Sequence, residues 1–220
     1  VVKPSAAFLE HADSSSGIGN RLGKFILASG LIWIILACLA QGVIKDGIGL
    51  WGPTMIQDIY GVDAGTASFL LLFIPVMNFM GITLVGMIQR KRLLEEEMLV
   101  VIMMVLSVFI LASLRVFMGK SLTAGVLLLG GVSAVMYGVN TILLGVFPLH
   151  FARANRASFV SGLLDFCSYV AAGLSSVFSG LVIQLGLGWN SVFLVWMALT
   201  VMGIGALGVF GWKYKAQTGR

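Results

Sequence analysis

Charge is scarce in this chain. Only 10% of its 220 residues are Asp, Glu, Lys or Arg, against about 25% in an ordinary water-soluble domain. With 59% of residues hydrophobic and a mean hydropathy of +1.02, no soluble core of this size could bury so much apolar surface. Cysteine is equally sparse. Cys38 and Cys167 each sit in a hydrophobic segment without ligand-like spacing to a histidine, so they read as small packing residues and imply neither a disulfide nor a metal site. There is no glycine-rich phosphate loop, no HExxH, no CxxC and no hydroxyl nucleophile beside a plausible base. An enzyme is not expected, nor is a cofactor.

What the chain does have is six long apolar stretches. About 20 residues span a bilayer core of roughly 30 Å, and the runs place helices at about 25–55, 66–88, 99–118, 122–149, 159–185 and 191–212. The expected fold class is therefore all-α integral membrane, with a polar leader at 1–24, a six-helix domain at 25–212 and a short tail at 213–220.

The formal net charge of +5 does not point to nucleic acid, because the bases are sorted by loop. Lys3, Arg21, Lys24, Arg90, Lys91, Arg92, Arg153, Arg156, Lys213, Lys215 and Arg220 fall on one side, and Lys45 (if it is loop), Arg115 and Lys120 on the other. By the positive-inside rule both termini are expected in the cytoplasm. The run QRKRLLEEEM between the second and third helices reads as a solvated cytoplasmic turn with local ion pairs, and His150 as an interface residue. The segment GPTMIQDIYGVDAGTAS, which holds Asp58 and Asp63, reads as the first loop on the outer face.

Glycine is abundant, with 28 residues. In the fifth helix Ser168, Ala172, Ser176 and Gly180 recur every four residues and make one small face, the kind that allows close approach of membrane helices. Pro53 and Pro75 are expected to interrupt helical runs.

Against this apolar background the intramembrane polar residues stand out. Lys45 and Asp46 lie inside the first stretch, where a charge costs roughly 2.5–3.5 kcal/mol near a helix centre. Lys45 either faces protein or a water-filled path, as the leading candidate to touch an anion, or snorkels to the interface from a helix that ends early. Gln41 shares its face four residues earlier, while Asp46 should project roughly 100° away. In the fourth helix Ser133, Tyr137 and Asn140 fall on one stripe, lining a path or bonding to a neighbouring helix. In the fifth, Asp165 stands among Ser161, Ser168 and Tyr169. It is either a lining carboxylate or a structural acid served by Ser161, Ser168, Arg153 or Arg156.

These features together resemble the C-terminal six-helix half of a major facilitator superfamily transporter. The segment from Lys45 to Thr54, with Lys45 six positions before Trp51 in a Trp-Gly-Pro-Thr turn, is similar to the seventh helix of the organophosphate:phosphate antiporters, which exchange glycerol 3-phosphate or hexose 6-phosphate for phosphate. Tyr137-Gly138, the stretch from Gly145 to Gly162, and the Asp165–Tyr169 region resemble that family's tenth and eleventh helices, and Gly188-Trp189 before Phe193 resembles its twelfth. Two departures stand out. Well-studied members carry arginine where this chain has Lys45, and lysine meets phosphate as a point charge without the bidentate fork. The superfamily's cytoplasmic Gly-x-x-x-Asp motif lacks its acid, since Gly86 is followed by Met87, Ile88, Gln89 and Arg90.

The resemblance implies secondary transport of a small anionic organic solute by alternating access, with phosphate as counter-substrate. Lys45, Gln41, Tyr137, Asn140 and Asp165 would form the substrate-binding set. It also implies a multi-pass protein of a bacterial inner membrane, and a partner N-terminal six-helix half, since such transporters bind substrate between two halves. A transporter-like sensor of sugar phosphates, or a facilitator of another substrate, is the alternative.

Overall fold

A computed structural model describes residues 23, 25–27, 29–91 and 93–218. The side chains of 153–154 and 213–218 are not among those described. Apart from Gly23, the expected leader, with its Lys3, Arg21 and Lys24, lies outside these residues, as do Arg92, Arg220 and the side chains of Arg153, Lys213 and Lys215. The described residues form helices and turns without a strand. Six helices are long and apolar enough to cross a membrane: α1 (Leu31–Tyr60), α2 (Ala64–Arg90), α3 (Glu96–Phe117), α4 (Leu122–Ala152), α5 (Ala157–Gln184) and α6, whose span is Gly188–Trp212. The chain is an all-α, multi-pass membrane protein.

Helix ends follow local chemistry. The sequence places the first helix from 25 to 55, but α1 starts at Leu31, because Gly30 takes a left-handed φ of 71° and turns the chain. Residues 25–27 are helical before that turn, and the Phe25 ring packs on Phe151 at 5.8 Å and under the Arg156 guanidinium at 4.4 Å. Nor does Pro53 end α1. The helix runs through it to Tyr60 and stops at Gly61 (φ 67°), whose N–H donates to the Gln57 carbonyl at 2.9 Å. Residues 52–60 are thus helix and not loop, and Asp58 sits on the last turn, accepting a 3.0 Å hydrogen bond from Trp189 Nε1. Pro75 does mark a break. It has no N–H to reach back four residues, and α2 is divided at Leu72 into Ala64–Leu71 and Phe73–Arg90.

Pro148 acts similarly in α4, which relaxes through a π-turn at Thr141–Val146 into a 3₁₀ segment at Phe147–Ala154. Pro148 brings no N–H to this stretch, and the Leu144 carbonyl four residues before it finds a donor on another helix. Ser161 Oγ of α5 donates to it at 3.0 Å. In the loop region between α2 and α3, Glu96 at the start of α3 pairs with His150 of the α4 end at 3.3 Å.

The principal helix pairs are α1·α5, α1·α6, α2·α4, α3·α4, α3·α6 and α1·α4. Exchanging α1 with α4, α2 with α5 and α3 with α6 maps this set onto itself. Burial obeys the same exchange: 67% and 56% of the apolar span is buried in α1 and α4, 33% and 39% in α3 and α6, 22% and 28% in α2 and α5. The bundle is two like three-helix units. Each crosses an odd number of times, so the second unit enters from the opposite face and the two are related by inversion of topology.

Two apolar cores sit one above the other. One holds Ile44, Ile48, Met55, Leu111, Leu129, Phe193 and Trp196. The other holds Leu31, Ile34, Met104, Leu143, Leu164 and Phe210. The changeover falls at Gln41 in α1, Ser107 in α3, Tyr137 in α4, Ser168 in α5 and Thr200 in α6. Gln41, Ser107, Ser168 and Thr200 are buried polar residues, so a polar seam crosses the bundle near mid-depth.

Candidate functional site

The seam is where three spans are stitched together. Helical spacing puts Gln41 and Lys45 on one face of α1, and that face meets α4 and α5. Close approach is set by glycine: a β-carbon added at Gly42 would stand 2.5 Å from the Ser168 carbonyl oxygen and 2.9 Å from its Cα. Only a residue without a side chain lets the backbones come this near. The small face of α5 is the surface used, for Ser168 meets Gly42, Ala172 is buried, and Gly180 lies 3.5 Å from the Trp51 ring, as measured from an added β-carbon.

At this distance short side chains suffice. Gln41 Nε2 donates to Asn140 Oδ1 of α4 at 3.0 Å and to Ser168 Oγ of α5 at 3.1 Å. An amide nitrogen has two donors, and here one goes to each neighbouring span. Cys38, one turn earlier, is buried and its thiol donates to the Leu164 carbonyl of α5 at 3.3 Å. Gln41 Oε1 is buried without a hydrogen-bond partner among the described residues.

Lys45 stands one turn beyond Gln41, midway along α1, with its side chain 7% exposed. Its ammonium lies 5.3 Å from the centre of the Tyr137 ring of α4 and 5.2 Å from that of Tyr169 of α5, within the reach of cation–π attraction. The third neighbour is Asp46, whose Oδ1 is 3.0 Å from Lys45 Nζ. The two backbone directions diverge as expected for adjacent helical residues, but the flexible four-carbon lysine stem closes the gap. Asp46 is 19% exposed, and its Oδ2 is buried without a hydrogen-bond partner among the described residues.

The structure therefore brings together four of the five residues expected from the sequence: Gln41, Lys45, Tyr137 and Asn140. Asp165 is not drawn in. It lies on α5 one turn before Tyr169, partly buried, with no hydrogen bond or ion pair among the described residues. Three of its four alternative partners are engaged elsewhere, for Ser161 binds Leu144, Ser168 accepts from Gln41, and Arg156 stacks on Phe25, while the side chain of Arg153 lies outside those described. Lys45 also leaves the tally of outer-loop bases, since it is helical and buried.

Two contributors were underread in the sequence. Asp46 is the ion-pair partner of Lys45, and Tyr169 supplies half of the aromatic enclosure. A signal for the second existed: Tyr169 directly follows Ser168 on the small face that presses on α1. Comparison of the chain with family profiles, with curated proteins and with solved structures yields no match.

Proposed function

We propose that this chain is one half of a major-facilitator-type secondary transporter. It moves a small anionic organic solute, a phosphate ester in exchange for phosphate, by alternating access. The observation that carries the reading is Lys45, a cation buried midway through the bundle where α1, α4 and α5 meet. A charge in that place is costly, and intramembrane charges mark substrate and ion pathways. Lys45 holds the anion, Gln41 and Asn140 fix the spans around it, and Tyr137 and Tyr169 line the approach.

The architecture supports the same reading. Two three-helix units of inverted topology make up each six-helix half of a major facilitator, with the substrate near the bilayer midplane between halves. The exchange pattern of helix pairs fits one such half, and the least buried spans, α2 and α5, offer a face to the complementary half.

The test is exchange of labelled inorganic phosphate into phosphate-loaded liposomes by the full-length protein. Wild type is expected to exchange and to be inhibited by glycerol 3-phosphate but not by organic cations, and Lys45→Ala to reach the membrane without exchanging. Near-normal exchange by Lys45→Ala removes Lys45 from the site. Binding without exchange identifies a transporter-like sensor instead.

A further inference from the structure

We propose that Asp46 is a tethered counter-anion for Lys45, and that an anion arriving at Lys45 displaces it with uptake of a proton by Asp46. The inference rests on the anion-site reading above and adds to it a coupling to protons.

The geometry leaves little room for an alternative partner. Asp46 Oδ1 occupies the ammonium at 3.0 Å, which is the position an incoming carboxylate or phosphate oxygen needs. Two tyrosine rings close on the same ammonium from α4 and α5. The other carboxylate oxygen is buried and unpartnered among the described residues, so nothing described there takes over the Asp46 charge when Lys45 turns to a solute. Two anions would then share one ammonium in an apolar surrounding, where an uncompensated charge is costly, and a proton taken from water removes that charge.

Charge balances when one proton enters. Before binding the pair is ammonium plus carboxylate; afterwards it is ammonium, solute monoanion and carboxylic acid, with the proton taken from water on the open side. The net charge of the layer is zero in both states for a monoanion; with a dianion such as sulfate the proton brings the layer to −1 in place of −2. Other titratable groups facing this level are few. Tyr137 comes from α4, Tyr169, Asp165 and Cys167 from α5, and Cys38 from α1 itself. The packed segment of α2 from Ala64 to Gln89 carries none, and α6 carries none from Gly188 to Trp212. Asp165 is thus the one other carboxylate to control for.

The experiment is calorimetric titration of sulfate, with inorganic phosphate in parallel, into the full chain held in lipid nanodiscs. Two buffers of different ionisation heat give the protons bound per anion, and a pH series gives the slope of affinity. Wild type is expected to take up protons on binding sulfate and to lose affinity with rising pH, by up to about tenfold per unit. Asp46→Asn is expected to bind sulfate without proton uptake and with no slope, while Asp165→Asn behaves as wild type. Sulfate binding by wild type without proton uptake overturns the proposal, as does uptake that survives in Asp46→Asn or disappears in Asp165→Asn. A different result strikes the anion site itself, and the coupling with it: no binding by wild type, or undiminished binding by Lys45→Met.

Discussion

The joints α1·α5 and α2·α4 are the same joint made twice, and they are filled differently. Both depend on a glycine that lets backbones approach: Gly42 against Ser168 in one, Gly81 against Ala134 in the other, where an added β-carbon would stand 2.8 Å from the Ala134 carbonyl carbon. Yet α1·α5 carries the Gln41 amide, the Cys38 thiol bond and the Lys45–Tyr169 contact. The α2·α4 joint is apolar where it is tightest, with Met77 against Gly130 at 3.3 Å and Val85 against Gly138 at 2.8 Å, each from an added β-carbon. Close packing is therefore the architectural requirement, and of the two joints α1·α5 alone adds side-chain hydrogen bonds across it among the described residues, whereas Asn78 of α2 buries its Oδ1 unpartnered among them. That asymmetry points to function, because the scaffold alone does not need it.

The comparison breaks most visibly at the glycines. Gly42→Leu and Gly81→Leu should both force the helices apart, and overpacking of this kind costs about 1–3 kcal/mol and occasionally more. Thermal melts in detergent should show the two variants falling alike. Gly49→Ala and Gly86→Ala, where nothing lies within 4 Å of the added carbon, should melt at or above wild type. An undisturbed Gly81→Leu would show that the apolar joint is looser than its counterpart.

Gln41 sharpens the difference next. Gln41→Leu leaves Asn140 Oδ1 and Ser168 Oγ without their donor, and an unsatisfied buried polar group costs about 1–3 kcal/mol. The matching change in the other joint, Met77→Leu, keeps volume and should cost less than about 1.5 kcal/mol. Equal losses in denaturant titrations of the two variants would remove the distinction. A smaller effect is expected from Ser161→Ala, which removes the hydroxyl donor to the Leu144 carbonyl. Its cost should be about 1 kcal/mol, with hydrogen exchange rising first at the α4–α5 connection.

The smallest effect belongs to the start of α2. Asp63 caps that helix, accepting from the Thr66 backbone N–H at 3.0 Å and from the Thr66 hydroxyl. These bonds hold its carboxyl below the ordinary value of 3.8. A lowered carboxyl contributes stability that is fully present above its unfolded value and is lost as pH falls through the folded one. The melting difference between wild type and Asp63→Ala should therefore be steady near neutrality and shrink once pH drops below about 3.8. A difference that persists in acid would mean the cap is not acting through its charge.

The sequence by itself determined the class of the protein and the crossing number, because a bilayer demands long apolar runs and the chain supplies six of them. It also determined that Gln41 and Lys45 share a face, since spacing along one helix is a local property. It misplaced the ends of α1. Apolarity continues across Gly30, where the backbone turns, and Pro53 looks like a stop although the helix runs on to Gly61. Only the tertiary structure decided which faces meet. Gly42 finds Ser168, and Gly81 finds Ala134, across long separations in sequence, so no local period announces either pairing. The partner of Lys45 was likewise decided in three dimensions. A long side chain can bend toward Asp46 or away from it, and the two tyrosines beside it come from other helices, Tyr137 from α4 and Tyr169 from α5 next to the Gly42–Ser168 contact.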